Sequence, residues 1–188
     1  MTIADAEALV AAARRGDPVA LEQFVRTTST EVWRFLAHLV DPQSADDLTQ
    51  ETYLRALGAL GAFRGASTVR TWLLSIARRV AADEIRRRSR RPRTGAPLPE
   101  DSADPLDLAG EVGARDLLRR LDPSRREAFV LTQITGLSYA EAAEMLGCPI
   151  GTIRSRVARA RDDLAAMVDA DRAHGGQGRS RGQGELPA

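Results

Sequence analysis

The chain has 188 residues, enough for one domain or two small ones, and at 43% hydrophobic but 4% aromatic it must build its core mainly from Leu, Val, Ile and Ala. Its single cysteine, Cys148, excludes an internal disulfide and any multi-cysteine metal site, and His38 and His174 stand far apart, so no metal or cofactor is expected. The formal charge of +1 conceals a segregation, because residues 63–94 hold ten arginines against two acids while residues 1–62 hold five against nine.

No stretch alternates like a strand, and helical spacing dominates, so the expected fold class is all-α: two small helical domains joined by a flexible linker. A short helix is expected around residues 6–15. Asp17-Pro18 then pairs an N-cap with a proline at the first helical position. From there Leu21, Phe24, Val25, Val32, Phe35, Leu36 and Leu39 recur at spacings of three, four and seven. Asp41-Pro42 reads as the stop of that helix. Ser44 followed by Asp47 reads as a capping box for the next, over about 45–60. After the loop beginning at Phe63, a further helix carries Trp72, Leu73, Ile76, Ala77, Val80 and Ile85 on its inner stripe.

Residues 92–105 hold four prolines, a glycine and several acids with little periodicity, and read as a linker. A second helical set follows over about 106–121, then 124–135 behind Asp122-Pro123, then the pair around Gly147. The tail, residues 171–188, is rich in Gly, Gln and Arg and is expected to be disordered from His174 onward. No apolar run is long enough to cross a membrane, and Met1 leads into no signal-peptide pattern, so a cytoplasmic protein is expected.

The pair of helices either side of Gly147-Cys148-Pro149 carries the sharpest signal. Ser138 and Glu141 match a capping box, Ala143 offers a small side chain where two helices cross, and Gly147 suits a tight turn. In the second helix Ile150, Ile153, Val157, Leu164 and Val168 fall on one stripe, and Gly151, Arg154, Ser155, Ala158, Arg159 and Asp162 on the other. A second helix whose outer N-terminal half is small, hydroxylic or Arg is what a helix-turn-helix sets into the DNA major groove. The basic block at 63–94 suits a polyanion as well. That every basic residue is Arg carries no argument, because a GC-rich genome produces the same bias. Cys148, at a helix start, reads as a half-buried turn cysteine. No nucleophile–base pair, phosphate loop or metal cluster is present, so no enzyme is expected.

In the first half, Asp46-Asp-Leu-Thr-Gln-Glu-Thr-Tyr-Leu54, Phe63-Arg-Gly and Thr71-Trp-Leu-Leu-Ser-Ile-Ala-Arg78 stand in an order and separation that resembles bacterial sigma factors of the extracytoplasmic-function (ECF) type. The resemblance implies a promoter-melting domain over residues 5–91 and a helix-turn-helix domain over residues 106–170. It implies that Asp46, Asp47, Gln50 and Glu51, with Leu48 and Leu54, dock on the β′ clamp helices of core RNA polymerase, whose β flap is a further contact. It implies that Phe63, Ser67, Thr68 and Val69, in a loop that captures a flipped base, meet the −10 element of promoter DNA together with Arg78, Arg79, Arg86, Arg87 and Arg88. Relatives often carry Asn at the place of Arg79, which leaves the choice of base open. For the −35 element the candidates are Ser138, Thr152, Arg154, Ser155, Arg156, Ala158 and Arg159. An anti-sigma factor is a further candidate partner. The rival reading is a stand-alone helix-turn-helix regulator whose N-terminal domain senses a ligand or dimerises.

Overall fold

Proline and aspartate punctuate the chain. The computed structural model describes residues 3–90 and 109–177, with side chains over 6–90 and 113–172, and every regular element among them is helical. The expected linker at 92–105 and the tail beyond 177 lie outside the described residues. The elements are α1 (Ile3–Arg14), α2 (Pro18–Leu39), α3 (Pro42–Ala59), α4 (Val69–Arg90), α5 (Ala109–Arg120), α6 (Pro123–Phe129), α7 (Tyr139–Leu146) and α8 (Ile150–Gln177). A 3-10 turn, Leu60–Ala62, follows α3.

Among the described residues, three Asp-Pro dipeptides open helices in the same way. The Asp17 carboxylate accepts from the Val19 and Ala20 amides, that of Asp41 from Ser44 at 2.8 Å, and that of Asp122 from Ser124 and Arg125. The middle case corrects the sequence reading: Asp41 caps α3, and the box expected at Ser44 lies one turn inside it. At the other end of the chain, α8 continues through Gln177, beyond the point where disorder was expected.

α2 to α4 bury Phe24, Val32, Phe35, Leu36, Leu73, Leu74 and Val80 almost completely. Removing a side chain of that size from water contributes about 1.5–3 kcal/mol. Ile85 breaks the expected stripe, being 42% exposed, and Ile150 does likewise at 41%. Between α2 and α3 the Thr28 and Tyr53 hydroxyls meet at 2.6 Å, and burial pushes the Tyr53 phenol up to about 12.

Behind α6 the helix expected over 124–135 widens into a π-turn, Val130–Ile134. The hydroxyl of Thr135 donates to the Leu131 carbonyl at 2.6 Å, the bond its own amide would make in an α-helix. That amide donates instead to Val130 at 2.9 Å. The Thr135 hydroxyl thus satisfies the i−4 carbonyl that its own amide leaves where the pitch widens.

The apolar interior is continuous across both halves. One buried cluster runs from Ala6 through α2, α3 and α4 into Val130, Leu131, Ala142, Ile153 and Val157. A smaller cluster, Leu118, Leu121 and Ala160, joins α5 to α8.

Candidate nucleic-acid interface

The turn between α7 and α8 is built from its caps. The Ser138 amide donates to the Glu141 carboxylate at 2.8 Å, and the Glu141 amide returns a bond to the Ser138 hydroxyl at 3.2 Å. The Ser138 hydroxyl, donating to the Glu141 carboxylate at 2.7 Å, and then the Ser138 amide hold that carboxyl below its ordinary range. At the far end Gly147 sits at φ 62°, its amide donating to Glu144 and that of Cys148 to Ala143. This pair of bonds is a Schellman ending, and the left-handed residue it needs is the glycine.

α8 leaves that turn with Ile153, Val157 and Ala160 buried. Gly151, Arg154, Ser155, Ala158 and Arg159 are exposed on the opposite side. Thr152 and Arg156 are half-buried, and the Arg156 guanidinium lies 4.0 Å from the Cys148 sulfur, beside the turn. The exposed strip sets small residues beside two arginines along one face of the helix.

Ahead of α4 the Thr68 hydroxyl accepts from the Thr71 amide at 3.1 Å and starts the helix. Gly65 turns the loop at φ 71°. The half-buried ring of Phe63 rests on Trp72 with centroids 4.9 Å apart. Ser67 and Thr68 are half-buried at the loop's end, whereas Val69 is 1% exposed and packs into the core, so its side chain is not on the open face.

Along α4 the arginines are held by more acids than the charge count suggested. Arg87 donates to Glu84 at 2.6 and 2.9 Å, and Arg88 to Glu84 at 2.6 Å and to Asp41 at 2.5 Å. Clamped first by Arg87 and then by Arg88, the Glu84 carboxyl falls to about 2. Arg86 pairs with Asp83 at 2.5 Å, and Arg79 is exposed. Arg78 turns the other way and donates to Glu127 of α6 at 2.7 Å.

On α3 the expected docking face is open at Asp46, Asp47, Gln50 and Leu54, the last 66% exposed. Leu48 is 9% exposed, and Glu51 pairs with Arg55 at 2.8 Å, which also reaches Asp83. Leu57, 39% exposed three residues beyond Leu54, extends the apolar part and was missed in the sequence, although its helical spacing was there to find.

A third set of contacts joins the two halves. Arg70 donates to Glu31 at 2.8 Å and to the Thr135 carbonyl, and the Thr71 hydroxyl donates to Glu141 at 3.1 Å. Among the described residues no group of His, Cys, Asp or Glu suits a metal ion, and no helix is long and apolar enough to cross a membrane.

This arrangement is similar to that of known transcription proteins. The family model "Sigma-70 region 2" matches residues 20–91, and "Sigma-70, region 4" matches residues 113–164. The ECF RNA polymerase sigma factor SigC of Mycobacterium tuberculosis is 50% identical over 179 residues, covering 90% of this chain and 96% of that protein. The RNA polymerase sigma-H factor of Pseudomonas aeruginosa is 33% identical over 173 residues, covering 83% and 90%. Among solved structures, CnrH in complex with the cytosolic domain of CnrY is similar with a TM-score of 0.70 at 29% identity, over 89% of this chain and 99% of that one. The sigma factor RpoE in complex with the anti-sigma factor NepR from Bartonella quintana gives 0.65 at 30% identity, over 80% and 98%.

Proposed function

The chain belongs to the sigma-70 family, in its extracytoplasmic-function group, and from that premise we propose how its surfaces divide the work of starting transcription at chosen promoters. As an alternative sigma factor it binds core RNA polymerase and directs initiation at promoter DNA. It works as a binding subunit in the cytoplasm and not as a catalyst. Residues 5–91 act as the polymerase-binding and melting domain, residues 92–105 as a linker, residues 106–170 as the −35 reader, and residues 171–188 as a tail. An anti-sigma factor is a further partner, as one is for the similar RpoE.

The observation that carries this division is the presence in one chain of two separate open faces. Asp46, Asp47, Gln50 and Leu54 stand out from α3, and Gly151, Arg154, Ser155, Ala158 and Arg159 stand out from α8. The first offers carboxylates, an amide and an exposed leucine, which suits a basic helical partner with an apolar stripe. The second offers guanidinium forks beside small residues, which suits a groove. Phe63 with Ser67 and Thr68 borders the loop that holds an unstacked base, and Arg79, Arg86 and Arg87 face the DNA backbone of the −10 element, joined by Arg78.

Replacing Asp46, Asp47 and Gln50 together with Ala tests the docking face. Three exposed polar side chains contribute little to folding, so helicity measured by circular dichroism should stay unchanged while co-elution with core polymerase is lost. Wild-type affinity in the triple variant would remove the assignment.

A further inference from the structure

One arginine of α2 stands without an acid. Among the described residues Arg34 forms no ion pair, although Glu31 lies three positions before it on the same helix. The Glu31 carboxylate is turned to Arg70 of α4, whose Nε, at 2.8 Å, and Nη2 both donate to its Oε1. Nη2 donates also to the Thr135 carbonyl. That pairing leaves the whole Arg34 fork, Nη1 of Arg70 and Oε2 of Glu31 without a hydrogen-bond partner among the described residues.

These groups surround a cleft of about 340 Å³. Thr27, Thr30, Glu31 and Arg34 form its α2 wall, and Arg70 lies across from them with Ile134 and Thr135 at the end of the π-turn. Sites for small molecules run from about 300 to 1,000 Å³, so this one suits a single small ring with its substituents and leaves no room for a helix. The Thr27 hydroxyl is committed to the Gln23 carbonyl at 2.7 Å and offers only lone pairs, whereas the exposed Thr30 hydroxyl is free to donate. Two guanidiniums against one carboxylate leave positive charge in excess. The field extends along α2: one turn on, His38 is held below its ordinary pKa by burial first, then by Arg115 and Arg34.

We propose that this cleft binds a small hydroxylated phosphate monoester, of the sugar-phosphate class. Its phosphoryl group takes the Arg34 fork, the Thr30 hydroxyl and Nη1 of Arg70. Three phosphate oxygens call for that many donors, where a carboxylate would be satisfied by the fork alone. A hydroxyl of the ligand donates to Oε2 of Glu31, and its carbon face rests on Ile134. Because the walls come from α2, α4 and the π-turn, an occupied cleft ties the three together, and binding adds to stability by mass action.

The test is titration calorimetry of the full-length chain with ribose 5-phosphate, ribose and inorganic phosphate. Ribose 5-phosphate should bind and raise the melting temperature, inorganic phosphate should bind about tenfold more weakly, and ribose should not bind. Arg34 is exposed, so Arg34→Gln should fold normally and lower the affinity for ribose 5-phosphate by about 10- to 100-fold. Proton NMR gives a readout tied to the place: a phosphate on Arg34 offsets its charge, so the His38 titration should move upward on binding. Equal losses in Arg34→Gln and Arg159→Gln would mark unspecific attraction to arginine and overturn the proposal. An unmoved His38 titration, inorganic phosphate binding as tightly as ribose 5-phosphate, or no heat with ribose 5-phosphate would each overturn it too.

Discussion

His38 is a single side chain on which the stability of the molecule turns with pH. Its Nδ1 is buried without a hydrogen-bond partner, and its pKa is lowered first by burial and then by the charges of Arg115 and Arg34. The unfolded chain takes up a proton near the ordinary value of about 6.5, whereas the folded chain resists it. The stabilising contribution is therefore complete above that value and is lost as pH falls through it toward the lower folded value. The melting temperature should fall between pH 7.5 and 5.5, and His38→Leu should flatten that dependence. A slope unchanged in the variant would place the sensitivity elsewhere. Nothing in the sequence marked this histidine, because its cationic neighbours come from a helix more than seventy positions away and from its own preceding turn.

Helix ends were the part of the architecture most legible in the sequence, because caps are local chemistry. The Ser138–Glu141 box and the Gly147 turn were foreseen residue by residue, and both are present. The start of α3 was misplaced because Asp-Pro serves equally as a stop and a cap, and only the bond from the Ser44 amide decides between them. The π-turn escaped notice because a widening of pitch over five residues leaves no trace in periodicity. Among the site residues, exposure along α8 followed from spacing. The partners of Arg78, Arg87 and Arg88 did not, since a charge count along the chain cannot say which acids fold back on it. Gly147 gives the element-scale test. A Cβ there would meet nothing within 4 Å, so the demand is one of backbone angle and not of space. Gly147→Ala should cost about 1–2 kcal/mol by chemical denaturation and Gly147→Asn less, because asparagine tolerates the left-handed region. Equal losses would point to packing.

For the whole molecule, one buried cluster extending from Ala6 to Val157 predicts a single cooperative unfolding event, although the family divides the chain in two. Calorimetry on the free protein should give one transition with matching calorimetric and van't Hoff enthalpies. In Glu127→Arg, which sets two guanidiniums against each other, the event should separate into two. Two transitions in wild type would mean that the halves do not share a core in solution. The same contacts also set a sequence of events at birth. Arg78 and Glu127 are 49 residues apart, and Thr71 and Glu141 are 70 apart. A ribosome adding about 5–20 residues per second needs about 2–10 s to lay down the first of those intervals. For those seconds the nascent α4 has no α6 to close against, so each new copy passes through an uncovered state before the covered one is available to it.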